Sequence, residues 1–155
     1  MTPLDTSLAR IVAAAPADQD WWLIGSVAAR LSGIDLEPED VDVLASRAVI
    51  EAFVVNLGGG VTAGSGSDRF RSNPFVRVAV EGGLPIELMG DLHVNDNGGD
   101  NGWQPLRINT RVAIATAVGT VYVPSLSEQA DIFERFGRPK DLAKARRIRF
   151  PGVKD

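Results

Sequence analysis

Two short runs of this chain set carboxylates at alternate positions among apolar residues: Asp40-Val41-Asp42-Val43-Leu44 and Ile86-Glu87-Leu88. Successive side chains of a strand point to opposite faces, so each run reads as a strand with one face in a core and the other carrying acid. Asp40 and Asp42 then project from one face of one strand. Glu87 stands on one face of another, with Ile86 and Leu88 turned the opposite way. Any fold for this chain has to find a place for those acidic faces.

The remaining elements follow from periodicity and punctuation. Leu8, Ile11, Val12 and Ala15 recur at helical spacing over residues 6–15, and Pro16 ends that helix. The aromatic and aliphatic run 21–24 reads as a buried strand leading into a tight Gly25-Ser26 turn, with a helix from 27 to 31 stopped by Gly33. Ser46 caps a helix over 47–56, and Gly58-Gly59-Gly60 reads as a hinge or flexible loop. Residues 75–80 and 84–89 form a hairpin around Glu81-Gly82-Gly83, its second strand carrying Glu87. The Asn, Asp and Gly stretch 95–102 is an exposed loop. Strands follow at 103–108, 112–115 and 120–123. Ser125 caps a helix to Phe136, Gly137 breaks it, and Pro139 opens a last helix through Arg147, so that helices occupy 125–148.

Bulk properties narrow the function. A chain of 155 residues with 45% hydrophobic and 23% charged residues is expected to be one domain, 1–155, that folds alone. It has no cysteine, which excludes disulfides, thiolate metal sites and a cysteine nucleophile. No signal-peptide pattern and no apolar run of membrane-spanning length are visible, so a cytoplasmic address and no membrane partner are expected. A net charge of −4 argues against broad nucleic-acid binding and favours a small-molecule substrate. Six of the 16 basic residues nevertheless crowd between Arg138 and Arg149.

Chemistry on a triphosphate needs a hard divalent cation against the phosphate oxygens, and adjacent carboxylates are the ligands such a cation prefers. Asp40 and Asp42 supply two, and Glu87 can supply a third or accept a proton from an attacking hydroxyl. A Gly-Ser turn ahead of a helix offers backbone donors and a hydroxyl to the phosphates, and Gly25-Ser26 is such a turn. Leu23-Ile24-Gly25-Ser26, followed after thirteen residues by Asp40-Val41-Asp42-Val43, resembles the signature of the DNA polymerase β-like nucleotidyltransferase superfamily. Pro85-Ile86-Glu87-Leu88-Met89 resembles the later strand that carries its third acid, and 125–142 is similar to the closing helices of small bacterial members of the lincosamide-resistance-like and toxin-antitoxin-associated types.

The resemblance implies an α/β (α+β) fold, with a central mixed sheet of about five or six strands flanked by helices. It implies Gly25 and Ser26 at the triphosphate, Asp40, Asp42 and Glu87 on Mg²⁺ or Mn²⁺, and Glu87 as the base. The expected reaction is transfer of a nucleoside monophosphate from a nucleoside triphosphate such as ATP to a hydroxyl acceptor. With no large second domain to hold that acceptor, either it is small or a protein partner or second copy of the chain assists. Two other functions suit the same residues: a nucleotide- or partner-binding module without turnover, and a metal-dependent phosphohydrolase.

Other residues have both a functional and a plain reading. Arg69 and Arg71 either clamp phosphates from a loop or are solvated loop charges. The basic tail around Lys140 is read first as favouring its own helix dipole and second as a phosphate contact. His93 is read as a surface or hydrogen-bonded residue, and Trp21 and Trp22 as core.

Overall fold

The computed structural model describes residues 1–96 and 102–152. Its described elements run α1 (Pro3–Ala14), β1 (Trp21–Ile24), α2 (Gly25–Leu31), β2 (Val41–Ala45), α3 (Arg47–Leu57), β3 (Val61–Ala63), β4 (Phe70–Arg71), β5 (Phe75–Val78), β6 (Ile86–Gly90), β7 (His93–Asn95), β8 (Trp103–Pro105), β9 (Val112–Thr116), β10 (Gly119–Val123), α4 (Leu126–Phe136) and α5 (Pro139–Arg149). A central five-stranded sheet has the order β1-β2-β6-β5-β3. It is mixed, because β2 and β6 pair in parallel while the other neighbours are antiparallel. The expected α/β class with helices against a mixed sheet is therefore what forms. A two-stranded ribbon, β9 with β10, and a three-stranded sheet, β4-β7-β8, complete it.

Strand alternation sorts the central sheet into two faces. Trp21, Leu23, Val41, Val43, Val76, Val78, Ile86 and Leu88 turn to one side and form the main core with Leu8 and Ile11 of α1 and Ile50 and Phe53 of α3. On the other side Ile24 and Leu44 join Leu92, Val94, Ile132 and Phe136 in a second cluster, built from α4 and the three-stranded sheet. Asp42 and Glu87 share this second side with Arg77. Burying a Val, Leu or Phe contributes about 1.5–3 kcal/mol each, so the first face holds the sheet while the second can tolerate charge.

Local signals explain most helix limits. Ser46 accepts from the Val49 amide at 3.4 Å and Ser125 from the Glu128 amide at 3.2 Å, as expected of caps. Helix α1 starts three residues earlier than residue 6, because Thr2 and Asp5 form a reciprocal capping box ahead of Pro3. Helix α2 starts at Gly25, so the Gly-Ser turn is the first turn of the helix itself.

Other expectations need correction. Gly58, with φ of 80°, ends α3 in the left-handed conformation, and residues 58–60 form the connection to β3 at the sheet edge, a strand that the sequence reading did not include. Strand 103–108 is cut to β8 Trp103–Pro105, since a proline has no amide to continue the ladder. In the expected loop 95–102, Asn95 and Gly102 are buried, and residues 97–101 lie outside those described. No described helix is long and apolar enough to cross a membrane.

Candidate active site

The parallel pairing of β2 with β6 sets Asp42 directly beside Glu87 in register. Asp40 is the residue before β2 and not part of the strand, but it keeps the same facing by alternation. One oxygen from each of Asp40, Asp42 and Glu87 can be chosen so that all three lie within 4.8 Å of one another, and all three residues are partly buried. Like charges side by side on neighbouring strands destabilise a sheet, and either a cation or a proton would relieve that repulsion. Three hard oxygen donors and no nitrogen or sulfur suit Mg²⁺ or Mn²⁺.

Gly25 belongs to the same construction. Ile24 pairs with Asp42 across β1 and β2, so the residue after it passes over the carboxylate. Gly25 has φ of 75°, and a Cβ placed on it would stand 2.8 Å from Asp42 Oδ2. Only glycine combines that backbone conformation with that approach. Ser26 follows it, and both line a cleft of about 560 Å³ that also contains the three carboxylates.

The cleft also carries four basic side chains, beside the further acids Glu37, Glu39 and Asp141. Lys140 and Lys144, one turn apart on α5, line it with Arg138 at the α4–α5 junction and Arg77 from β5. Arg138 is held in place by Asp141, a carboxylate only 1% exposed, through contacts of 2.6 Å and 3.0 Å. Arg77 Nη2 lies 3.2 Å from Glu87 Oε1. Among the described residues neither lysine has an ion-pair partner, although like charges at this spacing repel along a helix. A cleft that combines a carboxylate cluster with two lysines that have no ion-pair partner among the described residues suits a metal-bound polyphosphate.

The overall arrangement recurs in solved structures. A candidate nucleotidyltransferase from Thermotoga maritima superposes with a TM-score of 0.62 at 20% identity, covering 84% of this chain and 81% of that one. The antibiotic-resistance factor ANT(2″)-Ia, solved with adenylyl-2″-tobramycin, gives 0.55 at 17% identity over 93% of this chain and 86% of its own. The chain has a nucleotidyltransferase fold. No family model and no curated protein matches the sequence, so the likeness lies in structure.

In this nucleotidyltransferase fold the surroundings of Asp42 and Asp40 favour their protonated forms. Burial raises the Asp42 carboxyl well above the usual carboxylate range, with further upward pushes from the Asp40 and Glu87 charges and from a hydrogen bond to Glu87 that only a protonated carboxyl can donate. Burial and Glu39 raise Asp40 more mildly, against Lys144, Lys140 and Arg77, which pull it down. Since the folded state of Asp42 holds a proton that the unfolded state has already lost, metal-free stability falls as pH rises from the ordinary carboxylate range through the raised value. One proton contributes a slope of up to about 1.4 kcal/mol per pH unit in that window. Melting curves in EDTA should show this decline in the wild type and lack it in Asp42→Asn. Equal slopes in both would remove Asp42 as the cause.

Several other residues go elsewhere. Arg69 donates to the Phe136 carbonyl at 2.7 Å, and Arg71 lies over the Trp103 ring at 4.3 Å. Neither lines the cleft. His93 Nδ1 sits 2.8 Å from the Asp91 carbonyl on the three-stranded sheet. Trp21 packs edge-on against Phe53 and Tyr122, and Trp22 donates to the Thr110 carbonyl. The acidic segment before Asp40 is partly neutralised by Arg30, which reaches Asp35 at 3.3 Å and Glu37 at 3.4 Å. Lys144 and Arg77 carry weight in the cleft that their sequence positions did not announce. The four-residue spacing of Lys140 and Lys144 was the available signal.

Proposed function

We propose that the chain transfers a nucleoside monophosphate from a nucleoside triphosphate to a hydroxyl and releases pyrophosphate. The observation that carries this reading is one cleft lined by the clustered carboxylates Asp40, Asp42 and Glu87 together with Lys140 and Lys144. In a complex of the same fold, ANT(2″)-Ia holds an adenylylated tobramycin, which is the type of product this reaction would leave.

In this reading Asp40, Asp42 and Glu87 would hold Mg²⁺ or Mn²⁺, which would neutralise charge on the phosphate oxygens. Gly25 leaves room for the Asp42 carboxylate, and the Ser26 hydroxyl beside it donates to a phosphate oxygen. Lys140 and Lys144 hold the outer phosphates and stabilise charge on departing pyrophosphate. Glu87 accepts the proton of the attacking hydroxyl, oriented by Arg77. Asp42 must lose its proton for the triphosphate and metal to enter, so binding should weaken as pH falls.

Calorimetric titration of ATP, GTP, CTP and UTP in magnesium, on the wild type and on Asp42→Ala, tests the reading. Saturable binding that needs magnesium and disappears in the variant is expected. If no nucleotide binds the wild type, the transferase reading fails. Charge-assisted contacts are worth about 1.5–3 kcal/mol, so Lys140→Ala and Lys144→Ala should each weaken triphosphate binding by roughly tenfold to a hundredfold. The same substitutions should leave the melting temperature almost unchanged, because neither lysine is ion-paired among the described residues. An unaltered dissociation constant would return both lysines to a solvated role.

A further inference from the structure

Asp42 and Glu87 also border a second, smaller space. It measures about 140 Å³ and is lined by Ile24, Phe70, Phe75, Met89, Leu92 and Phe136, with Arg138 at its side. Asp42, Glu87, Phe136 and Arg138 line both this pocket and the large cleft, so the carboxylates stand between a charged compartment and an apolar one. The space is close to the roughly 150 Å³ that takes one benzene ring, although it is open on one side and bordered by charge. The walls suit such a guest: Phe70 and Phe136 meet edge to face at 4.9 Å, and the Met89 thioether is a soft partner for a ring.

The pocket is unsuited to a cationic guest. Its one guanidinium, Arg138, is bound to Asp141 and lies 4.9 Å over the Phe70 ring. Its only carboxylates, Asp42 and Glu87, belong to the cation-binding triad. An ammonium group placed here would have to draw Asp42 and Glu87 away from that cation, whereas an uncharged ring needs neither. We infer that the acceptor is a phenol, its uncharged ring seated between Phe70, Phe75, Met89 and Phe136 and its hydroxyl against Glu87. This rests on the transferase reading above. The phenolic oxygen bonds to the α-phosphorus, the bond from that phosphorus to the bridging oxygen breaks, and its electron pair leaves with pyrophosphate. The phenolic proton passes to the Glu87 carboxylate.

The experiment offers 4-fluorophenol, N-acetyltyrosinamide and tobramycin to the protein with α-phosphate-labelled nucleotides and magnesium. Label should pass to a phenol and not to tobramycin; transfer to 4-fluorophenol alone identifies a free phenol, and transfer to both phenols identifies a tyrosyl acceptor. Met89→Trp, which fills the pocket, should cut kcat/KM for the phenol at least tenfold and change triphosphate affinity less than twofold. Should that variant fail to fold, Phe75→Ala enlarges the pocket and should shift preference at least tenfold towards 2-naphthol over 4-fluorophenol.

Label on tobramycin and on neither phenol overturns the inference and leaves the transferase reading standing. A parallel loss of triphosphate and phenol binding in Met89→Trp also overturns it, because the nucleotide base would then own the pocket. If no nucleotide binds at all, the transferase reading falls, and ¹⁹F spectra of 4-fluorophenol decide the pocket separately. Broadening that Met89→Trp removes supports ring binding there, and an unperturbed spectrum overturns it.

Discussion

Asp42→Asn should lose nucleotidyl transfer by about a thousandfold or more and yet melt at a higher temperature than the wild type when metal is absent. A charged ligand to the cation contributes several kcal/mol of transition-state stabilisation, and each 1.36 kcal/mol is about tenfold in rate. Stability moves the other way because Asp42 is a buried carboxyl beside Asp40 and Glu87, its protonation raised by that burial and crowding. Asparagine keeps a donor for Glu87 and removes the charge conflict. Relief of a cross-strand like-charge pair is worth up to about 1 kcal/mol, or roughly 2–4 °C in a domain of this size. Saturating magnesium should narrow the difference by stabilising only the wild type. Scanning calorimetry with and without EDTA, beside a pyrophosphate-release assay, measures both effects. A variant that melts lower and transfers normally would mean that the triad is an ordinary solvated strand face.

Gly25→Ala should damage the site through the backbone. The left-handed conformation costs a residue with a Cβ about 1–2 kcal/mol, which lowers the melting temperature by roughly 2–8 °C. The new methyl group would also stand 2.8 Å from Asp42 Oδ2, so the carboxylate or the turn must shift. Displacing a reacting group by about 1 Å can cost a hundredfold in rate, and a loss of that order is expected here. Gly33→Ala separates the two effects. Gly33 has φ of 98° and nothing within 4 Å of an added Cβ, so it carries the backbone penalty without touching the site. Its stability should fall comparably while transfer persists. Equal rate losses in both variants would trace the damage to general destabilisation.

The amino-acid sequence alone determined those parts of this protein whose physics is short-range. Ser46, Ser125 and Gly137 mark helix limits because caps act within a few residues. Alternation in 40–44 and 86–88 sorted carboxylates from core side chains because a strand has a period of two. The strands β3, β4 and β7 escaped notice because each has three residues or fewer and forms only through a partner. Tertiary structure decided everything that depended on residues distant along the chain. The parallel register that sets Asp42 beside Glu87 is fixed by matching the apolar faces of β2 and β6 to α1 and α3. Packing of α5 on α4 turned Lys140 and Lys144 towards the acid, whereas the sequence shows only a basic tail. The apolar space beside Glu87 exists because Phe70, Phe75, Met89 and Phe136, from four separate elements, close around it, and no local pattern encodes a void between elements.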